Sequence, residues 1–190
     1  MASNLTTTDR LKELLPQLFN TQKLTGDYYL RFRLTERISG IIDLRYVRES
    51  ISIPGDRITA VPNLPEYVVG LMSSRNEVLL ALDLAHLAGL SAETVNIRQY
   101  QTIVVNINSF GNSDKSDRNN LFGLTVKKIE GIERILPNRF VPITENLPQS
   151  LRPFVKSAVL QQTEKASSAI KEQYSFLIDI ERLIYHRIEE

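Results

Sequence analysis

The residue types that could bind metal or move protons are few and scattered. His86 and His186 stand far apart, and neither has a cysteine or a second histidine at ligand spacing. A metal site needs several ligands at defined geometry, so ordinary helix-surface histidines are favoured. Asp114 and Asp117 lie in a polar stretch without apolar neighbours. Solvated loop carboxylates are therefore favoured over an acid/base pair.

Motifs for nucleotide binding and hydrolysis are also missing from the sequence. It contains no G-x-S-x-G, no Walker glycine–lysine loop and no dinucleotide glycine fingerprint. Lys127 and Lys128 are adjacent, which places them on opposite faces of a strand or in a bulge, and a phosphate site is the minority interpretation. We predict a protein that is not an enzyme and that uses no metal or cofactor.

Composition narrows the class of protein further. The 190 residues suit one domain or two small fused subdomains. Lys and Arg total 23 against 22 for Asp and Glu, so no basic surplus supports nucleic-acid binding. There is no cysteine, and neither a signal-peptide pattern nor a membrane-spanning apolar run occurs. We expect a soluble, cytoplasmic protein that reaches membranes only through a partner, without inserting into them.

Residues 58–90 give the clearest local pattern. Two prolines restrict the start of this stretch to a turn. Gly70 then opens a short strand. We predict a chain reversal at Arg75 and Asn76, because asparagine tolerates left-handed backbone geometry.

A strand followed by a capped helix completes that stretch and recurs near the C-terminus. Residues 78–82 are a continuous apolar run, which predicts a strand buried on both faces. Asp83 can cap a helix that ends at Gly89. Residues 174–183 repeat the order of apolar strand, aspartate and helix, with Asp179 in the place of Asp83. This echo suits two similar β-subdomains.

Other segments alternate apolar and polar residues or are rich in β-branched residues, as strands are. The predicted strands are residues 28–34, 37–42, 101–107, 121–136, 158–162 and 174–178. Gly123 and Gly131 are predicted as bulge or close-approach positions. Residues 108–120 and 164–173 are predicted as polar loops. A meander of such strands is typical of a small barrel or sandwich.

Before the first strand, we predict an N-terminal helical extension over residues 1–27, broken at Pro16. Four leucines there follow helical spacing: Leu11, Leu14, Leu15 and Leu18. Two roles remain open for this helix, which are packing on the surface of its own domain and docking on a partner.

The stretch 58–90 resembles the pattern P-x-x-P-x-x-x-x-G-h-x-x-x-R-G-x-h-h-x-h-h-D-L, with h apolar, of CheW-like domains. The matching residues are Pro62, Pro65, Gly70, Leu71, Arg75, Val78, Leu79, Ala81, Leu82, Asp83 and Leu84. Asn76 replaces the family's glycine, Ser50 replaces an apolar residue and Lys127 replaces an aspartate, as in a divergent member. The resemblance implies a mainly β fold of two SH3-like small barrels with short helices, over residues 28–190.

The resemblance also implies a function. CheW-like proteins are coupling adaptors that bridge a methyl-accepting chemoreceptor-type sensor and a CheA-like histidine kinase in chemotaxis or motility signalling. We therefore expect a cytoplasmic scaffold recruited to membrane receptor arrays. The alternative is a module of the same fold that acts as an adaptor or inhibitor in another pathway through its N-terminal helix. A small-molecule enzyme ranks third, because no reactive residues cluster.

Five residues are predicted to contact partners: Val47, Glu49, Leu71, Arg75 and Asn76. For Arg75, a plain surface pair with Glu77 or Glu66 is the competing interpretation. Val47 and Leu71, together with Ile103, are expected to be mostly core residues. One or two of them would line a groove between the subdomains, where a partner helix could bind.

Overall fold

Eleven β-strands and two α-helices form the part of the chain that the computed structural model describes, residues 26–90, 98–107, 120–143, 147–161 and 173–188. The strands are β1 (Asp27–Arg33), β2 (Ser39–Asp43), β3 (Val47–Pro54), β4 (Val68–Ser74), β5 (Glu77–Asp83), β6 (Gln99–Asn106), β7 (Leu121–Val126), β8 (Lys128–Ile135), β9 (Phe140–Val141), β10 (Val155–Gln161) and β11 (Gln173–Ile178). The helices are α1 (Leu84–Leu87) and α2 (Ile180–Ile188). The four leucines of the predicted N-terminal helix lie outside the described residues, as do almost all of the two predicted polar loops.

The strands form two sheets, which we call barrel A and barrel B. Barrel A has the strand order β8-β1-β2-β11-β10-β9, and barrel B has the order β3-β6-β7-β5-β4. Barrel B is therefore continuous in sequence, whereas barrel A is built from both ends of the described chain. Barrel A cannot be completed until the chain has passed through barrel B.

Each sheet closes on itself through a 3-10 turn. In barrel A, β8 runs through Pro137–Arg139 into β9, which pairs with β10 at the far edge. In barrel B, β3 continues through Gly55–Arg57, after which Thr59 bridges to Leu71 of β4. Two backbone hydrogen bonds of 2.8 Å make this bridge. The closures produce the two small barrels that the family resemblance implied.

The two barrels repeat one arrangement. In barrel B, β5 pairs with β7 in parallel, and in barrel A, β11 pairs with β2 in parallel, while the other strand pairs are antiparallel. The pairing register of the strands also corresponds between the barrels. Leu30 opposes Ile132 in barrel A, and at the equivalent position of barrel B, Ile103 opposes Ser50. The short internal repeat seen in the sequence thus belongs to a structural repeat of the whole barrel.

An aspartate caps the helix that follows the parallel strand of each barrel. Asp83 Oδ1 accepts hydrogen bonds from two backbone N–H groups of α1, at 2.9 and 3.0 Å. Asp179 Oδ1 accepts one from the backbone N–H of Arg182, at 3.2 Å. Gly89 follows α1 with φ +69°, a conformation that suits glycine. Both predicted caps are confirmed.

The largest apolar core lies between the barrels and joins them. It takes side chains from both sheets, such as Phe32 and Leu82, and from the helices, such as Leu87 and Leu183. Burying one such side chain stabilises the fold by about 2 kcal/mol. A smaller core around Met72 fills the interior of barrel B. The two barrels are therefore one folding unit with a shared interior.

Residues 78–82 form a strand as predicted, and both of its faces are buried except at Val78. Leu79 and Ala81 point into barrel B, and Leu80 packs against the shared core. Val78 lies on the outer face near the hairpin end, beyond the reach of that core, and is 70% exposed.

The two predicted special glycines are confirmed. A Cβ atom at Gly123 would lie 2.5 Å from the sulfur of Met72, so only glycine fits inside barrel B there. Gly131 borders a register shift between β1 and β8 and has φ +137°. Glycine tolerates this backbone conformation, and other residues rarely adopt it.

Removing the cap of α1 should destabilise the protein measurably. We expect Asp83→Ala to lower the free energy of unfolding by about 1 kcal/mol, since two N–H groups lose their acceptor. Asp83→Asn keeps a capping oxygen, so its free energy of unfolding should fall by less than that of Asp83→Ala. Urea denaturation checks this order, and an alanine variant as stable as the wild type would contradict the capping role.

Candidate partner-binding surface

Barrel B carries all five residues that the sequence predicts as partner contacts. Val47 and Glu49 lie on β3, Leu71 lies on β4, and Arg75 and Asn76 form the turn between β4 and β5. Closure of the barrel brings its two edge strands, β3 and β4, together. Side chains that are distant in sequence can therefore meet across this seam.

The β4–β5 turn lies at Arg75 and Asn76, as predicted, and the structure places both residues in the left-handed region. Arg75 has φ 44° and Asn76 has φ 68°, and the flanking pair is Ser74 with Glu77. Two-residue hairpins favour this geometry because it matches the twist of the strands. Asparagine adopts it readily, whereas arginine does so at some cost. A partner for the Arg75 side chain would offset that cost.

Glu49 supplies this partner and joins the two edges of barrel B. Arg75 Nε donates to Glu49 Oε2 at 2.8 Å. The Ser74 hydroxyl donates to the other carboxylate oxygen. A second ion pair, Arg48 with Glu77, lies across the same seam. Charged and polar side chains thus join β3 to the β4–β5 hairpin near the turn, whereas the backbone hydrogen bonds between Thr59 and Leu71 join the two edges farther along β4.

The competing interpretation of Arg75, a surface pair with Glu77 or Glu66, is wrong. Glu77 and Glu66 are its acidic neighbours along the chain, but Glu77 pairs with Arg48. The carboxylate that Arg75 binds belongs to Glu49, which barrel closure brings alongside the turn. The Arg75 side chain remains 63% exposed, so part of the guanidinium is still open to solvent.

The local environment keeps Glu49 ionised. The hydrogen bond from the Ser74 hydroxyl, and then the guanidinium of Arg75, hold the pKa of Glu49 below its ordinary value. Partial burial acts in the opposite direction but is outweighed. At neutral pH the carboxylate of Glu49 is therefore charged, and it keeps the Arg75 side chain against β3.

The outer face of β4 and β5 exposes apolar side chains beside this charged seam. Leu71, which the sequence placed mostly in the core, is 36% exposed, and Val78 is 70% exposed. The inward positions of β4 are taken instead by Gly70 and Met72, which are buried. The hairpin therefore presents an apolar surface, which we call the β4–β5 face, next to the exposed Arg75 and Asn76.

Val47 belongs to the same face of the sheet but not to the same exposed surface. Paired neighbours connect it to Leu71 across the sheet, in the order Val47, Val105, Phe122, Leu80 and Leu71. The middle of this row packs into the shared core, and Val47 is half-buried against it. Ile103, predicted as core, is fully buried.

A surface cavity of about 280 Å³ lies in another part of the molecule, between α2 and the 3-10 turn Arg152–Phe154. It is lined by Pro153, Phe154, Arg182, Tyr185 and His186. None of the five predicted contact residues is among them. Both histidines lie in helices, as predicted, and the ring of His186 is 5.4 Å from that of Phe154.

Within the residues that the structure describes, no three His, Cys, Asp or Glu side chains group closely enough to hold a metal ion. Among the helices that the structure describes, none has the length and apolar character to cross a membrane.

The role of Glu49 can be tested through its pH dependence. A carboxyl group whose pKa is lowered by folding stabilises the protein above its ordinary pKa of 4.5. That stabilisation disappears as the pH falls through the lowered value. We expect Glu49→Gln to lower the free energy of unfolding by about 1 kcal/mol at neutral pH.

The difference in free energy of unfolding between the wild type and Glu49→Gln should stay constant as the pH falls to the ordinary carboxyl pKa. It should become smaller in more acidic solution. Urea denaturation over a pH series measures it, with Glu77→Gln as the control for loss of a neighbouring ion pair. A difference that does not change with pH would show that the charge of Glu49 contributes nothing.

Comparison with known proteins places this geometry in a family. The family model described as the CheW-like domain matches residues 28–187. Among solved structures, the chain is similar to the scaffolding protein TtCheW from Thermoanaerobacter tengcongensis, with a TM-score of 0.60 and 19% sequence identity. The match covers 84% of this chain and 92% of that one. A search of curated proteins finds no match.

The solved structure shows the shared fold, and the family model accounts for both barrels and for α2 almost to its end. The chain belongs to the CheW-like domain family.

Proposed function

We propose that this protein is a non-enzymatic coupling adaptor that links a chemoreceptor-type sensor to a CheA-like histidine kinase. Membership of the CheW-like family, over residues 28–187, supports a scaffold or adaptor role in chemotaxis-type signalling. It would work in the cytoplasm and reach receptor arrays at the membrane through its partners. The observation that carries the proposal is the exposed apolar face beside the charged seam of barrel B.

The β4–β5 face has the composition of a protein interface. Leu71 and Val78 provide an uncovered apolar centre. Arg75 and Asn76 provide an exposed polar edge at the hairpin tip. Interfaces of this kind combine an apolar centre, which supplies most of the affinity, with a polar rim that fixes orientation.

The five predicted contact residues would have different roles in binding the partner. Leu71 and Asn76 are exposed and would touch the partner directly. Arg75 would offer the free part of its guanidinium to a carboxylate or carbonyl group. Glu49 would hold Arg75 in position through their 2.8 Å contact. Val47, half-buried, would support the sheet from the side of the shared core.

An adaptor of this kind acts through binding energy alone. Two small barrels joined by one core present two surfaces in a fixed relation. A receptor bound to one and a kinase bound to the other would be held in one assembly. A shift in the receptor could then bias the kinase between states, because each partner binds one arrangement better than the other.

A charge placed at the centre of the β4–β5 face should weaken partner binding. We expect Leu71→Arg to bind the CheA-like kinase from the same genome at least about tenfold more weakly than the wild type. Isothermal titration with the purified full-length kinase measures the change, and circular dichroism confirms folding.

Ser52→Arg is the matched control, because Ser52 is an exposed residue on β3 of the same barrel. It should bind the kinase normally. Equal binding by wild type and Leu71→Arg, or an equal loss in both variants, would rule out this face as the contact. No binding of any variant to the kinase would overturn the coupling function itself.

A further inference from the structure

A strip of exposed apolar side chains lies on the core-facing side of β1 and β8 in barrel A. Tyr28 is 51% exposed, Ile132 is 61% exposed and Leu136, just after β8, is 38% exposed. Ile132 stands directly opposite Leu30, which is buried in the shared core. The strip, which we call the β1–β8 strip, therefore continues the core surface beyond the region that barrel B covers.

The repeated architecture supplies an internal comparison for this strip. In barrel B, the position of Ile132 is taken by Ser50, which opposes the buried Ile103. The next pair in barrel B is Ser52 with Gln101, joined by a side-chain hydrogen bond of 3.1 Å. The fold thus accepts polar side chains at these positions. In barrel A, Arg134 takes the place of Ser52, while Ile132 and Tyr28 take the places of Ser50 and Gln101. The side chains of Ile132 and Tyr28 are therefore a property of this chain and not a requirement of the fold.

The chain enters barrel A beside this strip. Gly26 precedes β1, and Arg134 Nε donates to its carbonyl oxygen at 3.1 Å. A Cβ atom at Gly26 would lie 3.2 Å from the Leu136 side chain. Arg134 also stacks over the Tyr28 ring, 5.4 Å from its centroid. Residues 1–25 therefore join the described structure at one end of the strip.

We propose that residues 1–25 of the same chain cover the β1–β8 strip. The apolar contacts come from the leucines at helical spacing: Leu11, Leu14, Leu15 and Leu18. Ile132 lies about 13 Å along the strand from Leu136. The seven residues between Leu18 and Gly26 can span about 23 Å when extended. The leucines can therefore reach every residue of the strip without strain.

This docking defines a role for the N-terminal extension. The leucine face becomes part of the domain surface and is not free to bind a partner. It also removes an exposed apolar patch next to the edge strand β8, where another chain could otherwise associate.

The absence of cysteine from the whole sequence makes a direct test possible. A single thiol is introduced in the full-length chain by Ile132→Cys, and by Ser50→Cys as the matched control in barrel B. The rate of reaction with a thiol reagent is measured in the folded protein. We expect the thiol at position 132 to react at least about tenfold more slowly than the thiol at position 50.

A second background carries Leu11→Ser, Leu14→Ser and Leu18→Ser together. It should raise the reaction rate at position 132 to that of the control and leave position 50 unchanged. Equal rates at both positions in the unaltered background would overturn the proposal. Slow reaction that disappears on dilution would overturn it too, because a second copy of the chain would then cover the strip.

A cross-linking experiment keeps the test independent of the leucine variants. Under mild oxidation, Leu14→Cys combined with Ile132→Cys should form a disulfide within one chain. Leu14→Cys combined with Ser50→Cys should not. Cross-linking of the second pair as readily as the first would contradict docking on the β1–β8 strip.

Discussion

The core between the barrels is the constraint on which the rest of the structure depends. Barrel A takes β1 and β2 from one end of the described chain and β8 to β11 from the other, so barrel B is inserted within it. The shared core then fixes both barrels and both helices in one arrangement. A non-enzymatic adaptor requires two surfaces in a rigid relation. It can transmit a conformational change from one partner to the other only if its own barrels do not move relative to each other.

Those features that depend on neighbours along the chain could be predicted from the sequence. The aspartate caps of α1 and α2 follow from Asp83 and Asp179 preceding apolar helical residues, and both accept the expected hydrogen bonds. The turn at Arg75 and Asn76 follows from the ability of asparagine to adopt positive φ. Most of the predicted strands lie within a few residues of the observed ones for the same reason, since alternation of apolar residues is local information. Residues 121–136, predicted as one strand, instead form two strands, β7 and β8, which lie in different barrels.

Features that depend on barrel closure could not be predicted in this way. The partner of Arg75 is Glu49, because β3 and β4 become neighbours only when the sheet curls on itself. The exposure of Leu71 depends on which face of β4 the shared core covers. The extent of the internal repeat was also hidden, because barrel B is inserted within barrel A and the equivalent strands do not occur in the same order along the chain.

The most direct measurement of the coupling role is a reconstituted kinase assay. It combines the CheA-like kinase and a chemoreceptor from the same genome, with and without this protein. We expect the receptor to change the autophosphorylation rate of the kinase only when the folded protein is present. A receptor effect of equal size without the protein, or none with it, would contradict the role of coupling adaptor.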